Sequence, residues 1–535
     1  MKCQRLFRGC AFVVLCLLTP LLAAQVGPRV ITESAEDSPS TIIVDANPTW
    51  QQCETRRNDT VEKLLGCIQR DALWNRLAVF QNIADDHPGR NGHGNRDTGT
   101  SGYVASVHYV ASLLQQAGYL VTIQPYAYKY SEFVGTPQFA TSDQSYLWKQ
   151  DWFVARLSGG GIVRAPIQPV SGSGTGCFEE DFKEFKSGNI ALLARATCAY
   201  DTQVENAAAA GASAVVLYNR PETHALEENA TLAPGRDDGG AFQARLTRQA
   251  TIPVAGVASY AVGSELLGRY ENGDGPILHL DIRREAKSGV DYNVIADSTF
   301  GDPNQIVIVD AHLDSIYGAG ILDNASGSTT ILEIALKLAK TPTRNRLRYI
   351  WFGGEEIGLL GSAYYTKHLS RAERNQIFFD VDVDVTATPN FDYLVADPAY
   401  ASNVKSFPKN VVPESKVGND FFANFFSLHG VPTLSAWFGN DGTDSNSFSL
   451  IGIPNTGILT QQNCCKTTWE VRIWGGFGGN YEGKIPSFNG GCVDYPHRWC
   501  DNLSNNDPDV LDLASKAAAY VTFKLANFDF HANHP

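Results

Sequence analysis

Beyond its first two dozen residues the sequence lacks three things, and each absence removes a class of function. No later segment approaches the roughly 20 apolar residues that a spanning helix needs, so no membrane span is expected in the mature chain. There is no basic stripe either: Lys and Arg number 43 against 57 Asp and Glu, a formal net charge of −14. A phosphate backbone would be repelled, which excludes nucleic acid as the expected partner. No repeat recurs at a fixed period, which argues against a solenoid or an array. With 535 residues and 43% apolar content, the chain is globular rather than disordered and long enough for about two to four domains.

The N-terminus carries Lys2, Arg5 and Arg8 ahead of CAFVVLCLLTPLLAA, a charged start and a short apolar run ending in small residues. Residues 1–24 therefore read as a secretory signal, and Pro20 and the shortness of the run argue against a retained anchor. Residues 25–70 read as an N-terminal extension, a candidate propeptide. Of 11 cysteines, Cys3, Cys10 and Cys16 fall in the signal. The remaining even set, in an exported chain, favours disulfides over zinc–thiolate chemistry. Proximity suggests Cys53 with Cys67, Cys177 with Cys198 and Cys492 with Cys500, leaving the adjacent Cys464 and Cys465.

From residue 71 the chain alternates. DALWNRLAVFQNIADD and GYVASVHYVASLLQQA have helical spacing, the second stopping at Gly118, and YLVTIQPYAYKY alternates as a strand. Near Leu157 the text turns Gly-, Ser- and Pro-rich, and the segment beyond it has its own rhythm of strand, helix, strand, helix. After about Lys287 the short apolar strands NVIADS and QIVIVDA begin a second alternating series that closes on the helix DLASKAAAYVTFKLANF. The expected fold is α/β, a mixed, mostly parallel sheet with helices on both faces. It is built from two separated pieces, 71–156 and 287–535, with a smaller α/β domain inserted at 157–286.

The chemistry concentrates at strand ends. His312 and Asp314 follow IVIVDA, and Asp323 precedes the helical ASGSTTILEIALKLAK, with glycines between that let the backbone turn sharply. The strand LRYIWF runs into GGEEIGLLGS, which places Glu355 and Glu356 at the corresponding edge of the sheet. Two carboxylates there are costly unless something positive binds them. FFDVDVDV sets Asp380, Asp382 and Asp384 on one face by the period of two. Each feature alone has a plain reading: a hydrogen-bonded loop histidine, acids favouring a helix dipole, the solvated face of an edge strand. Their conjunction at three successive strand ends favours zinc held by nitrogen and oxygen in a site left open to water.

These residues resemble the co-catalytic two-zinc aminopeptidases of peptidase clan MH, secreted relatives of the glutamate carboxypeptidases and the transferrin receptor. AHLDS, GAGILDNASGS, GGEEIGLLGS, the Asp before TATPN, GTDSNSFSLIGIP and PHRWCDNLSN stand in that family's order and spacing over about 240 residues. The inserted segment resembles a protease-associated (PA) domain. The resemblance implies a zinc exopeptidase fold and two Zn2+ per chain: His312 and Asp384 on one ion, Glu356 and His497 on the other, Asp323 bridging. It implies Glu355 as general base and Asp314 as the residue that orients the His312 imidazole. The implied reaction is hydrolysis of the N-terminal peptide bond of peptides or proteins with a free N-terminus, by a hydroxide bridging the zincs. Family members often place Tyr immediately before the last histidine; here Pro496 stands there and Tyr495 precedes it, so Tyr495 is the candidate oxyanion donor. WEVRIWGGFGGNYEGKIPSFNGG, Trp469–Gly491, offers aromatic walls for an apolar first side chain. A carboxypeptidase or dipeptidase of the same clan would want a basic pocket, for which no Arg or Lys cluster near the motifs argues. A receptor-like scaffold would have lost ligands that are all present here.

Overall fold

In this computed structural model the described residues are 52–53, 55–89, 92–148, 151–220, 240–241, 243–244, 246–316, 318–401, 403–436, 442–460, 466, 468–477 and 501–532. The expected signal, most of the expected N-terminal extension, Cys464, Cys465, Cys492, Cys500, Tyr495 and His497 lie outside them.

The strands, in chain order, are β1 (Leu120–Phe133), β2 (Gln138–Ala140), β3 (Ser145–Tyr146), β4 (Ile162–Pro169), β5 (Ile190–Ala194), β6 (Ala214–Tyr218), β7 (Val254–Ala258) and β8 (Ile277–Asp281). They continue with β9 (Arg284–Asp297), β10 (Asp302–His312), β11 (Asn345–Phe352), β12 (Ile377–Val383), β13 (Leu394–Ala396), β14 (Leu434–Ala436) and β15 (Asn455–Leu459). The first sheet runs β1-β9-β11-β10-β12-β15-β13-β14. Its centre, β11-β10-β12-β15, is parallel, flanked by antiparallel pairs on either side.

Alternation along the central strands shows why both faces are covered. Ile306, Ile308, Ile350 and Phe352 pack in one cluster with Tyr365, Phe448 and Ile453, beneath helices Leu360–His368 and Ser445–Leu450. The intervening residues face the other way, where the Trp351 ring N–H donates to Ser328 O at 3.1 Å. On that side helix Gly327–Leu338 is buried along its whole length, between helices Arg70–Asp86 and Pro508–Ala526. Its two charges are paired: Glu333 lies 2.5 Å from Arg76 and 2.9 Å from Lys337. Helix Ser101–Ala117 has the ends its sequence calls for, with the Thr100 side chain accepting from Tyr103 N and Gly118 closing the C-terminus at φ 97°.

β1 and β9 form an antiparallel ribbon of 14 residues each, in unbroken register from Leu120↔Asp297 to Phe133↔Arg284. It leads from the first sheet to a second one, β3-β2-β8-β4-β5-β6-β7. The second sheet is apolar on both faces: Leu192 and Val216 pack with Val262 and Leu266, whereas Leu193, Val215 and Leu217 pack with Val204 and Ala207. It takes in Gln138–Ala140 and Ser145–Tyr146, upstream of the Gly-rich text at 157, because β2 pairs with β8. Disulfides join Cys53 to Cys67 and Cys177 to Cys198.

Candidate metal centre

The parallel centre of the first sheet ends on one edge, and the site is assembled there. His312 is the last residue of β10, and Asp384 follows β12, its neighbour, with Asp310 opposite Asp382. Asp323 returns to the same edge after the loop Leu313–Gly320. His312 Nε2 lies 3.0 Å from Asp323 Oδ1, 3.3 Å from Asp384 Oδ1 and 3.9 Å from Glu355 Oε2. The donor atoms of His312, Asp323 and Asp384 all lie within 4.8 Å of one another. Asn324 fixes the distance between the two acids: its amide donates to Val383 O (3.0 Å) and accepts from Val385 N (3.1 Å), the residues on either side of Asp384. Asn324 is fully buried, so the sequon beginning there is closed to modification in the folded chain.

Glu355 and Glu356 arrive from β11 through Gly353 and Gly354. Gly354 has φ +70°, and a Cβ on Gly353 would fall 2.2 Å from Tyr103 Oη, so the turn admits only glycines. Asp314 anchors the same turn, its carboxylate accepting from Glu355 N (3.2 Å), Glu356 N (3.4 Å) and Thr98 Oγ1 (2.9 Å). The His312 Nδ1 atom is 3.1 Å from the backbone oxygen of Asp314 and 3.6 Å from its carboxylate. The imidazole is thus oriented more by the main chain of Asp314 than by its side chain.

Three residues that sequence reasoning assigned no role also hold this edge. Asp501 accepts from Leu322 N (2.6 Å) and Asp323 N (3.1 Å); it stood unremarked inside PHRWCDNLSN. Thr98 and Arg96 come from a polar Gly/Asn/Arg stretch, and only contacts more than 200 residues away in sequence reveal them. Asp380 and Asp382 do not join the site: they are buried on the face of β12 toward Asp444, and Asp382 accepts from Ser445 N at 3.0 Å.

The electrostatics call for a cation. Burial, aided by the charges of Asp444, Asp384 and Asp323 and opposed by that of His312, pushes Glu355 well above the usual carboxylate range. Burial, Asp323 and Glu355 do the same to Glu356. Burial disfavours the charged His312 ring, but Glu355, Asp384, Asp314 and Asp323 together outweigh it and raise its pKa well above the ordinary value. A dication resolves all three strains at once, because it replaces protons as the partner of converging carboxylates. Neutral imidazole and carboxylate oxygens, with no thiolate among the described residues, are donors that suit zinc.

Residues 293–522 match the model of peptidase family M28, and residues 163–266 that of the PA domain. An aminopeptidase of Pseudomonas aeruginosa is 33% identical over 480 residues, 86% of this chain and 81% of that protein. The chain belongs to peptidase family M28. A probable leucine aminopeptidase 2 of Aspergillus fumigatus is 28% identical over 85% of this M28 chain and 84% of its own length. The fold is shared with an aminopeptidase from Aneurinibacillus sp. strain AM-1, TM-score 0.60 at 20% identity, over 89% of this chain and 98% of that one. A zinc aminopeptidase from Bacillus subtilis superposes with TM-score 0.58 at 19% identity, over 88% and 97%. The M28 match spans β9 to the last helix and contains every described ligand candidate; the PA match falls inside the second sheet. Among the described residues no helix is long and apolar enough to cross a membrane.

Proposed function

We propose that this M28 peptidase is an exported zinc aminopeptidase that removes N-terminal residues from peptides or proteins with a free amine. The observation that carries the reading is the convergence of His312 Nε2, Asp323 and Asp384 within 4.8 Å at one sheet edge. His312 and Asp384 would hold one zinc, Glu356 and His497 a second, and Asp323 would bridge them; His497, outside the described residues, rests on the family resemblance. Bound there, two zinc ions would supply an activated water and a positive pole for the carbonyl oxygen. The chain's own part is then specific. Glu355 accepts the proton of the attacking water and returns it to the leaving amine. Asp314 holds the backbone of Glu355 and Glu356 in place, so base and ligand keep a fixed separation. The surplus of carboxylates attracts the substrate's ammonium, which favours cleavage at the first peptide bond. Tyr495 is the candidate donor to the oxyanion, and Trp469 and Phe477, both about half exposed at 53%, begin the segment that would receive the first side chain.

Export is supported by the reading of residues 1–24 as a leader and by the disulfides, which persist in oxidising compartments. The inserted domain, bounded by the ribbon ends at 134 and 283, would act on which substrates reach the site. The test is turnover of aminoacyl-nitroanilides against N-blocked analogues with zinc content measured in parallel. Two zincs and activity confined to free amines are expected, and equal cleavage of blocked substrates would overturn the reading.

A further inference from the structure

The loop Leu313–Gly320 joins two proposed ligands, His312 and Asp323, and its described residues form no helix or strand. Something else must set its shape. The guanidinium of Arg96 donates to Leu313 O (Nη1, 2.7 Å), Ala319 O (Nε, 2.7 Å) and Gly320 O (Nη2, 2.6 Å). One acceptor is next to His312 and another is three residues before Asp323, so a single planar group ties both ends of the loop together. The flanking chain repeats the attachment. Ser315 N donates to Arg96 O (3.2 Å), Ser315 Oγ to Asp97 Oδ1 (3.0 Å), and Thr98 Oγ1 to Asp314 Oδ2 (2.9 Å). Arg96 is fully buried and lies 5.1 Å over the Phe80 ring, which leaves its fork no freedom to swing.

We propose that Arg96 is a positioning residue for metal binding: by holding Leu313, Ala319 and Gly320 it sets the separation of His312 from Asp323 and so the shape of the zinc site. The proposal rests on the zinc reading above. Lysine cannot substitute, because a point charge with three donors around one nitrogen cannot reach three carbonyls spread along a loop, whereas the guanidinium presents a rigid fork that matches them. Burial alone does not explain the residue, since a buried charge is weak evidence for stability and an apolar side chain would fill the space over Phe80 at lower desolvation cost.

The test compares the full chain with Arg96→Lys and Arg96→Met in three measurements. These are zinc affinity by chelator competition, the visible spectrum of the cobalt(II)-substituted protein, and melting temperature with and without zinc. Both variants are expected to bind zinc about 10- to 100-fold more weakly, the range for losing a group that orients ligands. The cobalt bands should shift, and kcat should fall while KM stays within about threefold. A merely structural arginine would lower the metal-free and zinc-loaded melting temperatures in parallel; a positioning one shrinks the gain that zinc confers. If Arg96→Met does not fold, Arg96→Lys decides, since it keeps the charge and the aliphatic stem over Phe80. An Arg96→Lys protein with the parent's zinc affinity and cobalt spectrum overturns the proposal alone. A parent chain that takes up no zinc overturns the functional reading and this proposal with it.

Discussion

Replacing Glu355 with Gln isolates the proposed base from everything that surrounds it. The backbone N–H that Asp314 holds at 3.2 Å is untouched, and the amide has nearly the shape of the carboxylate, so turn and packing survive. The charge that is lost is one the fold tolerates poorly. Glu355 is buried among Asp444, Asp384 and Asp323, all of which raise its pKa, so the variant should melt no lower than the parent. Zinc should remain bound, because His312, Asp323, Asp384 and Glu356 are unchanged. What disappears is an oxygen that can take a proton 3.9 Å from the ring of His312. A positioned general base is worth about 10² to 10⁴ in rate, roughly 3 to 5 kcal/mol of barrier. The assay is kcat and KM on an aminoacyl-nitroanilide near neutral pH, with zinc per chain by atomic absorption on the same sample. A kcat lower by about 10² or more with zinc and melting temperature retained is expected. Full zinc with kcat within about twofold of the parent would remove Glu355 from the mechanism.

Asp323→Ala should lose zinc and stability together, since the loop's far ligand vanishes and the other acids keep their mutual repulsion; atomic absorption that still finds two zincs per chain would refute the bridge. Replacing residues 135–282 by a two-residue Asn-Gly turn should leave zinc binding intact, because Val134 N already donates to Arg283 O at 2.9 Å and the ribbon needs only a hairpin to close it. A soluble, folded deletion protein without metal would instead make the insertion part of the catalytic core. Asp291, on β9, is raised from 3.8 to about 7 by burial, with Gly99 N opposing and Asp314 adding to the shift. The folded state therefore holds its proton more tightly than the unfolded one, and the penalty grows as pH rises from about 4 to 7. Asp291→Asn should stabilise increasingly across that window and level off above it, by at most on the order of 4 kcal/mol. A stability difference in urea that does not change with pH between 4 and 7 contradicts this.

The parts of the molecule legible from sequence are those whose signal is local. QIVIVDA contains the unbroken apolar run Ile306–Val309, and LRYIWF contains Tyr349–Phe352 ending at Gly353, and strands buried on both faces are built from such runs. His312 and Glu355 can be placed at strand ends because each follows such a run within a few residues; Asp323 is placed only as the residue before a helix, and Asp384 is singled out from Asp380 and Asp382 by the family resemblance. Arg96 cannot be placed in this way. It sits in polar text that reads as loop, and its role exists only through carbonyls more than 200 residues away. Carbonyls carry no sequence signature. Asp501 was hidden for the same reason, since its partners are the N–H groups of Leu322 and Asp323. The change of composition near 157 is real but marks turns leading into β4; β2 and β3 belong with β8 by pairing, which composition does not record.

The sequence alternates three acids along β12 and just past its end, and the structure sorts them into two kinds of site. Asp380 and Asp382 join Asp310 and Asp444 in a wholly buried group. Burial and the neighbouring acids push Asp310, Asp380 and Asp444 well above the usual carboxylate range, and Asp382 to about 6. At neutral pH such a group relieves its repulsion by keeping protons on Asp310, Asp380 and Asp444, and Asp310 and Asp380 can share one in a hydrogen bond. Asp384, two residues further on, has the same chemistry and a different outcome. At the strand end it meets His312 Nε2 and Asp323, and among the described residues theirs is the set of three donors that closes to within 4.8 Å. The imidazole is what decides, because it brings a lone pair without adding negative charge, and so lets carboxylates converge on a cation where a fourth acid would only raise the cost of ionising them. The strand supplies identical residues at a fixed spacing; the loop that Arg96 holds joins His312 to Asp323, and only Asp384 of the three acids stands near both.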